Sequence, residues 1–302
     1  MISLHCWDGG TGRRDSLRGC WLNRLWGFKS PSQHHFLISG VSVARFKIGC
    51  HTLTWGNYLS GYSIKDALWE IKEAGYDGVE IYDALARLGS AAALKTQLNE
   101  QGLELATLSA NVKVAGNEKA DIAEAKEKVY FAGQFGVKAL MTTGGWTGDG
   151  LKKEAKSYKS LCKRLDLLSG YASKFNMQVA FHNHLGTIVE EERDILNLLE
   201  FSKALKLCID TGHLAAVDAD PAYIIEKYAS SLALVHLKDW DPKIRDFAEL
   251  GRGILGNRMK NILATLEKIN YTNWIIVELD RTLTAPFESA RISRDFLRGM
   301  GY

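Results

Sequence analysis

A chain of 302 residues that is 46% hydrophobic can bury a large core, and a single barrel of about 250 residues is an ordinary outcome. The formal charge of +3 is uneven: residues 1–45 carry +4, so the remainder sits near −1 and offers no basic face for nucleic acid. Five cysteines, odd in number and without a CxxC pair, fit a reducing cytoplasm better than a disulfide framework, and no apolar run is long enough to span a membrane.

Residues 1–45 differ from the remainder of the chain. They hold Gly, Arg and three tryptophans (Trp7, Trp21, Trp26) without helical or strand periodicity, and they read as an unstructured N-terminal extension. An upstream lengthening of the frame is the first explanation, and an Arg-rich, acid-poor organellar leader is the alternative. From Phe46 onward the pattern is strand then helix, eight times. FKIGCHTLTW (Phe46–Trp55) is strand one, and Ser63 caps a helix over Ile64–Ala74. Strands two to four are Gly78–Asp83, Leu103–Val112 and Lys138–Trp146, with helices near Ala91–Gln101, Asp121–Phe135 and Glu154–Phe175. Strands five to eight are Gln178–His184, Leu205–Asp210, Leu232–Lys238 and Trp274–Leu279. Their helices fall near Glu191–Ser202, Pro221–Tyr228, Arg258–Ile269 and Pro286–Leu297, and a long loop, Asp239–Asn257, comes after strand seven.

Short apolar strands alternating with amphipathic helices are parallel βαβ units. Eight of them predict an α/β protein, a (β/α)₈ TIM barrel forming a single domain over residues 46–302. The competing doubly wound open sheet would carry a glycine-rich phosphate turn after strand one, and HTLTWGNYLSG is not one.

Chemistry in such a barrel belongs at the C-terminal ends of the strands. All five histidines beyond the extension (His51, His182, His184, His213, His236) fall at or just past predicted strand ends. Strand alternation puts Ala180, His182 and His184 on one face; it does the same for Cys208 with Asp210, for His236 with Lys238, and for Glu278 with Asp280. If those faces point inward, Asp210, His236, Glu278 and a strand-five imidazole converge. Crowded carboxylates are costly unless paired or metal-bound, and mixed carboxylate and imidazole ligands suit Mn²⁺, Co²⁺, Mg²⁺ or Zn²⁺. The other reading is a hydrogen-bonded polar plug without metal.

The segments HNHLGT, IDTGH, VHLKD and VELD, in that order, resemble the xylose-isomerase-like TIM barrels, the sugar phosphate isomerase/epimerase group. IGCHTLTWG, AGYDGVEIY and FAELGRGIL (Phe247–Leu255) add to the match, which covers about Phe46 to Tyr302. The resemblance implies one divalent metal ion, Mn²⁺ first, held by Asp210, His236, Glu278 and a strand-five ligand. Many members have Glu at that last position and this chain has His182, so His182 is the expected ligand, with Glu190 or Glu191 as the alternative. The departure also removes one of the two acids that epimerases commonly use as paired bases. HNHLGT is in addition similar to the matching stretch of inosose dehydratases.

The implied reaction removes a proton next to a carbonyl and stabilises the enediolate with the metal. Glu278 is the first candidate base, with His182 or His184 as the opposite acid/base. His213 is expected to orient a water or substrate hydroxyl, or to support a ligand by a hydrogen bond. Lys238 is expected to hold a substrate oxygen or to pair with Asp239. Glu80 lies on the rim of strand two as a substrate contact or ion-pair partner. Trp55 and Trp146 would form apolar walls, and Glu249 and Arg252 lie in a loop that could cover the site. The leading expectation is a metal-dependent isomerase or epimerase of a sugar or keto-sugar; second is an inosose dehydratase-like lyase on a cyclic keto-polyol. An endonuclease-like phosphoesterase would need more His and Glu ligands and a basic face, and a non-catalytic binding protein comes last. The expected partner is the small-molecule substrate, without nucleic acid or membrane; a homo-oligomer is allowed.

Overall fold

Eight short parallel strands close on themselves in the computed structural model, which describes residues 46–58 and 63–302. The expectation for residues 1–45 lies outside the described residues. β1 (Ile48–His51) turns into α1 (Leu53–Tyr58), and α2 (Ile64–Ala74) leads to β2 (Gly78–Ile81). The short α3 (Leu85–Leu88) and α4 (Ala91–Gln101) precede β3 (Glu104–Val112); α5 (Glu118–Asp121) and α6 (Ala123–Gly133) precede β4 (Ala139–Gly144). Next come α7 (Ala155–Ala172), β5 (Gln178–His182), α8 (Glu192–Phe201) and β6 (Lys206–Asp210). β6 runs straight into α9 (Thr211–Ala216), then α10 (Pro221–Lys227) and β7 (Leu232–Leu237). A hairpin, β8 (Asp239–Asp241) and β9 (Asp246–Ala248), precedes α11 (Met259–Lys268), β10 (Ile275–Val277) and α12 (Pro286–Gly299). The barrel order is β1-β10-β7-β6-β5-β4-β3-β2, with every neighbouring pair parallel.

Local chemistry sets these boundaries. Ser63 and Asp66 form a reciprocal capping box at the start of α2, and Gly75 ends it at φ 89°. Asp220 caps α10, where Pro221 takes the first helical position. Strand alternation sorts the core into two layers. Leu207 and Ile209 point outward against the helices, whereas Cys208 points into the lumen with Ala139, Met141, Ala180, Ala233 and Leu234. This small apolar plug fills the middle of the barrel, so polar side chains can gather only at the mouth above it.

The segment expected to be a plain loop after strand seven holds the β8–β9 hairpin, in which Asp239 pairs with Ala248 and Asp241 with Asp246. Asp239 is its anchor. Its buried carboxylate accepts the backbone N–H groups of Trp240 (2.9 Å), Gly251 (3.1 Å), Gly253 (3.0 Å) and Leu255 (2.8 Å). The chain passes so near that a Cβ on Gly253 would sit 2.3 Å from the carboxylate. Replacing Asp239 by Ala orphans these amides and should cost about 3 kcal/mol of stability. Urea unfolding measures the loss, and limited proteolysis should cut first within residues 240–256.

Candidate metal centre and cavity

Four strand ends bring acid and imidazole together. His182 ends β5, Asp210 ends β6, His236 lies near the end of β7, and Glu278 comes directly after β10. All four are buried, and one ligand atom from each lies within 4.8 Å of the others. The register explains the convergence: His182 pairs with Cys208, Asp210 with His236, and the Glu278 N–H bonds the Leu237 carbonyl at 3.1 Å.

Asp210 has two different oxygens. Oδ1 accepts the His213 N–H at 2.8 Å and caps α9, while Oδ2 is buried and has no hydrogen-bond partner. The Lys238 ammonium lies 3.5 Å from Oδ2. Burial pushes the Asp210 carboxyl up to about 7, although Lys238 pulls the other way. A buried carboxylate oxygen that accepts no hydrogen bond, set among three other ligand-type groups, fits a divalent cation, which would add a closer positive charge than the Lys238 ammonium. His236 fits too. Its Nδ1 lies 2.6 Å from Glu278 Oε2 and its Nε2 lies 2.8 Å from Glu80 Oε2. Burial opposes its charge, yet its surroundings, Glu80 and Glu278 among them, hold it well above the ordinary imidazole range. In the neutral ring Glu80 can take the single N–H at Nε2, freeing the Nδ1 lone pair for a cation.

Glu80 is fully buried, accepts the Ser109 hydroxyl at 2.7 Å and lies 3.3 Å from His51 Nε2. His236 and His51 hold its carboxyl below the usual range against the cost of burial. Lys238, His51 and His236 do the same for Glu278. Both carboxylates are therefore anionic at the heart of the site.

Above this cluster opens a cavity of about 420 Å³, lined by His51, Leu53, Tyr82, Ser109, Ala110, Asn111, Met141, Thr143, Trp146, His182, His184, Glu278 and Asp280. No Lys or Arg is among these residues. Trp146 forms one wall, its Nε1–H bonded to Asn111 Oδ1 at 3.0 Å and its ring edge-on to His184. β5 stops at His182 because residues 183–187 tighten into a turn in which the Thr187 hydroxyl donates to the His184 carbonyl at 2.7 Å. His184 therefore swings against His213, with ring centroids 3.9 Å apart. Its Nδ1 lies 2.6 Å from the Leu185 carbonyl and can only donate to it, so the neutral ring keeps its lone pair on Nε2. Burial first, then Lys238, lowers its proton affinity.

Several expected roles change. Lys238 pairs with Asp280 (2.7 Å) and Glu278 (3.2 Å) rather than with Asp239, and it lies fully buried under the Phe247 ring, outside the cavity lining. Its ammonium ties these acids together beside the cavity. His213 accepts the Leu185 N–H on Nδ1 and faces Lys238 with Nε2, a supporting position. Glu80 is held by protein partners and does not line the cavity. Trp55 is turned away: β1 ends at His51, α1 rotates the indole outward, and its Nε1–H bonds Glu70 at 2.6 Å. Glu190 accepts the Gly186 N–H and pairs with Lys153 at 2.8 Å, outside the four-residue cluster, and Glu191 caps α8. Glu249 accepts the Ser289 hydroxyl at 2.8 Å and lies 3.5 Å from Arg252, so it ties the long loop to α12 rather than lining the cavity. Ser109, Asn111, Thr143, Tyr82 and Asp280 line the cavity although sequence reasoning does not single them out for it. Asp280 alone carries a signal, its shared face with Glu278.

A closed parallel barrel with acid and imidazole gathered at its C-terminal mouth defines the class of (β/α)₈ barrels that carry their sites on the strand ends. A sequence profile of the xylose isomerase-like TIM barrel family matches residues 68–300, and the chain belongs to that family. Inosose dehydratase 1 of Bacillus cereus is 24% identical over 291 residues, 83% of this chain and 96% of that one. The apo structure of 3-keto-D-glucoside 4-epimerase from E. coli superposes with a TM-score of 0.69 at 17% identity, over 84% of this chain and 100% of that one. The IolI protein with a bound zinc atom gives 0.68 at 19%, over 84% and 97%. The structural likenesses show the same fold. Among the described residues no helix is long and apolar enough to cross a membrane.

Proposed function

We propose that this barrel is a metal-dependent isomerase or epimerase that removes a proton next to the carbonyl of a sugar or keto-sugar. The observation that carries the reading is the gathering of His182, Asp210, His236 and Glu278 around one point, with the buried Asp210 Oδ2 accepting no hydrogen bond there. These four residues would hold one divalent cation; the zinc in the IolI structure and the sugar epimerase among the structural neighbours support it. When bound, the cation supplies positive charge that polarises a substrate carbonyl. Glu278, anionic and shared by the cluster and the cavity, takes the proton. His184 presents the bare Nε2 as a second proton acceptor, and in its protonated form it returns a proton to the neighbouring carbon or oxygen. Asn111 and Thr143 bind hydroxyl groups, the Thr143 hydroxyl having no protein partner, and Trp146 packs on the apolar side of the ring.

A second reading has its own support. With His182 standing where an acid would complete a base pair, Glu278 and one imidazole suit an elimination. Glu278 takes the proton, the C–H electrons form a double bond, and the β C–O bond breaks. His184, entering the cycle protonated on Nε2 from solvent, gives that proton to the departing hydroxyl as water and keeps its Nδ1–H on the Leu185 carbonyl. Inosose dehydratase 1, matched over most of its length, supports this alternative. The test is to incubate the protein and Mn²⁺ with keto-hexoses and inososes in D₂O and follow products by mass spectrometry. Deuterium uptake at unchanged composition supports isomerisation or epimerisation, loss of water supports the lyase, and no exchange with any compound overturns the proton-abstraction reading.

The lining also bears on charge. Lacking Lys and Arg and facing Glu278 and Asp280, the cavity should bind a neutral keto-sugar about tenfold or more tightly than its phosphate ester. Calorimetry with one such pair checks this; equal or tighter binding of the phosphate ester would contradict it.

A further inference from the structure

Directly beneath the oxygen-bearing ligands lies a thiol that the proposed reaction does not use. Cys208 is fully buried, two residues before Asp210 on the same inward face of β6, amid the apolar plug. Its Sγ lies 3.9 Å from His182 Nδ1, and Cys208, His182 and His236 together offer one ligand atom each within 4.8 Å. A tetrahedral cation bonded to one sulfur at about 2.3 Å and one imidazole nitrogen at about 2.0 Å holds those atoms about 3.5 Å apart. The observed spacing of Cys208 and His182 is within a few tenths of an ångström of that, and the His236 ligand atom, within 4.8 Å of both, would close in on binding. Asp210 belongs to the other ligand group and not to this trio, so the remaining position of a tetrahedral cation would fall to solvent or an added ligand.

We propose that Cys208, His182 and His236 form a second, deeper metal site that selects strongly thiophilic cations such as Cd²⁺. The inference rests on the reading that His182, Asp210, His236 and Glu278 hold one divalent cation. The two ligand sets share both imidazoles, so only one can be filled at a time. A hard cation such as Mn²⁺ favours the upper set, with two carboxylates, and a soft one favours the lower set, with sulfur. As the S–M bond forms, the thiol gives its proton to solvent and nothing is oxidised or reduced. A cation seated there is drawn below the cavity and away from Glu278, so thiophilic metals should displace the working cation and inhibit.

The test uses full-length protein freed of metal. Titration with Cd²⁺ should give a thiolate-to-cadmium charge-transfer absorption that saturates at one ion per chain and is absent in Cys208→Ser and Cys208→Ala. Mn²⁺, followed by its paramagnetic resonance, should be expelled by Cd²⁺ about tenfold less readily from Cys208→Ala than from the wild type, and should still bind both variants. Cadmium NMR of the wild type reads a sulfur ligand without any variant, so a variant that fails to fold leaves the proposal testable. If Mn²⁺ binds but Cd²⁺ shows no sulfur signal, or if the signal survives in Cys208→Ala, the deeper site is wrong and the upper one stands. If neither ion binds, both fail.

Discussion

Replacing Asp210 by Asn should strip the divalent cation from the protein and leave the barrel standing. The two roles of this side chain lie on different oxygens. Oδ1 caps α9 by accepting the His213 N–H, a bond an Asn oxygen can keep. Oδ2 is the buried oxygen that accepts no hydrogen bond, and the substitution removes the charge while Lys238 keeps Asp280 and Glu278 as partners. Without cation the variant should therefore unfold at the same urea concentration as wild type or a higher one, because a costly buried anion has gone. With Mn²⁺ at about 100 times its dissociation constant, wild type should gain about 2.7 kcal/mol and the variant nothing. Elemental mass spectrometry should find close to one cation per wild-type chain and close to none in the variant, and turnover should fall on the order of 10³-fold. A variant that keeps its cation would remove Asp210 from the ligand set; one that fails to fold without cation would show that the carboxylate serves the structure.

How much of this is legible in the chain depends on the range over which each feature is encoded. The alternation of two along a strand is local, so the shared faces of Cys208 with Asp210, His236 with Lys238 and Glu278 with Asp280 can be read directly, and with them the meeting of four strand ends. Adjacency suggests Asp239 as the partner of Lys238. Alternation points neighbouring residues to opposite faces, and the partner found, Asp280, already shares the inward direction. The contact between Glu80 and His236 spans 156 residues and exists because closure sets β2 across the lumen from β7. No local pattern carries it. Trp55 is misplaced by a first strand extended to residue 55, because the helix that begins at Leu53 replaces the period of two and carries the indole away from the cavity toward Glu70. The β8–β9 hairpin escapes a pattern search because its strands are three residues each, bridged by a turn with Arg245 at φ 53° rather than by a glycine.

Glu278→Gln should separate the base from the ligand. The amide keeps the size of the side chain and an oxygen for the Lys238 ammonium, now 3.2 Å from the carboxylate, but it has no basic site to receive a proton. On a keto-sugar that the wild type turns over, kcat should drop by about 10³-fold with little change in KM, and deuterium uptake from D₂O should drop with it. Because Glu278 also belongs to the ligand cluster, cation content must be read in the same sample at saturating Mn²⁺. A variant that holds Mn²⁺ and exchanges no deuterium assigns the proton transfer to this carboxylate. His184→Gln provides the contrast. It keeps a side chain against Trp146 and removes the Nε2 acceptor, so exchange of the proton taken by Glu278 should persist while product formation fails. If instead Glu278→Gln still exchanges and His184→Gln does not, the order of proton transfers is reversed and the imidazole opens the reaction. Either pattern requires the two groups to face the substrate from different sides, which their common place in the cavity lining permits and the burial of Lys238 and Glu80 denies to those residues.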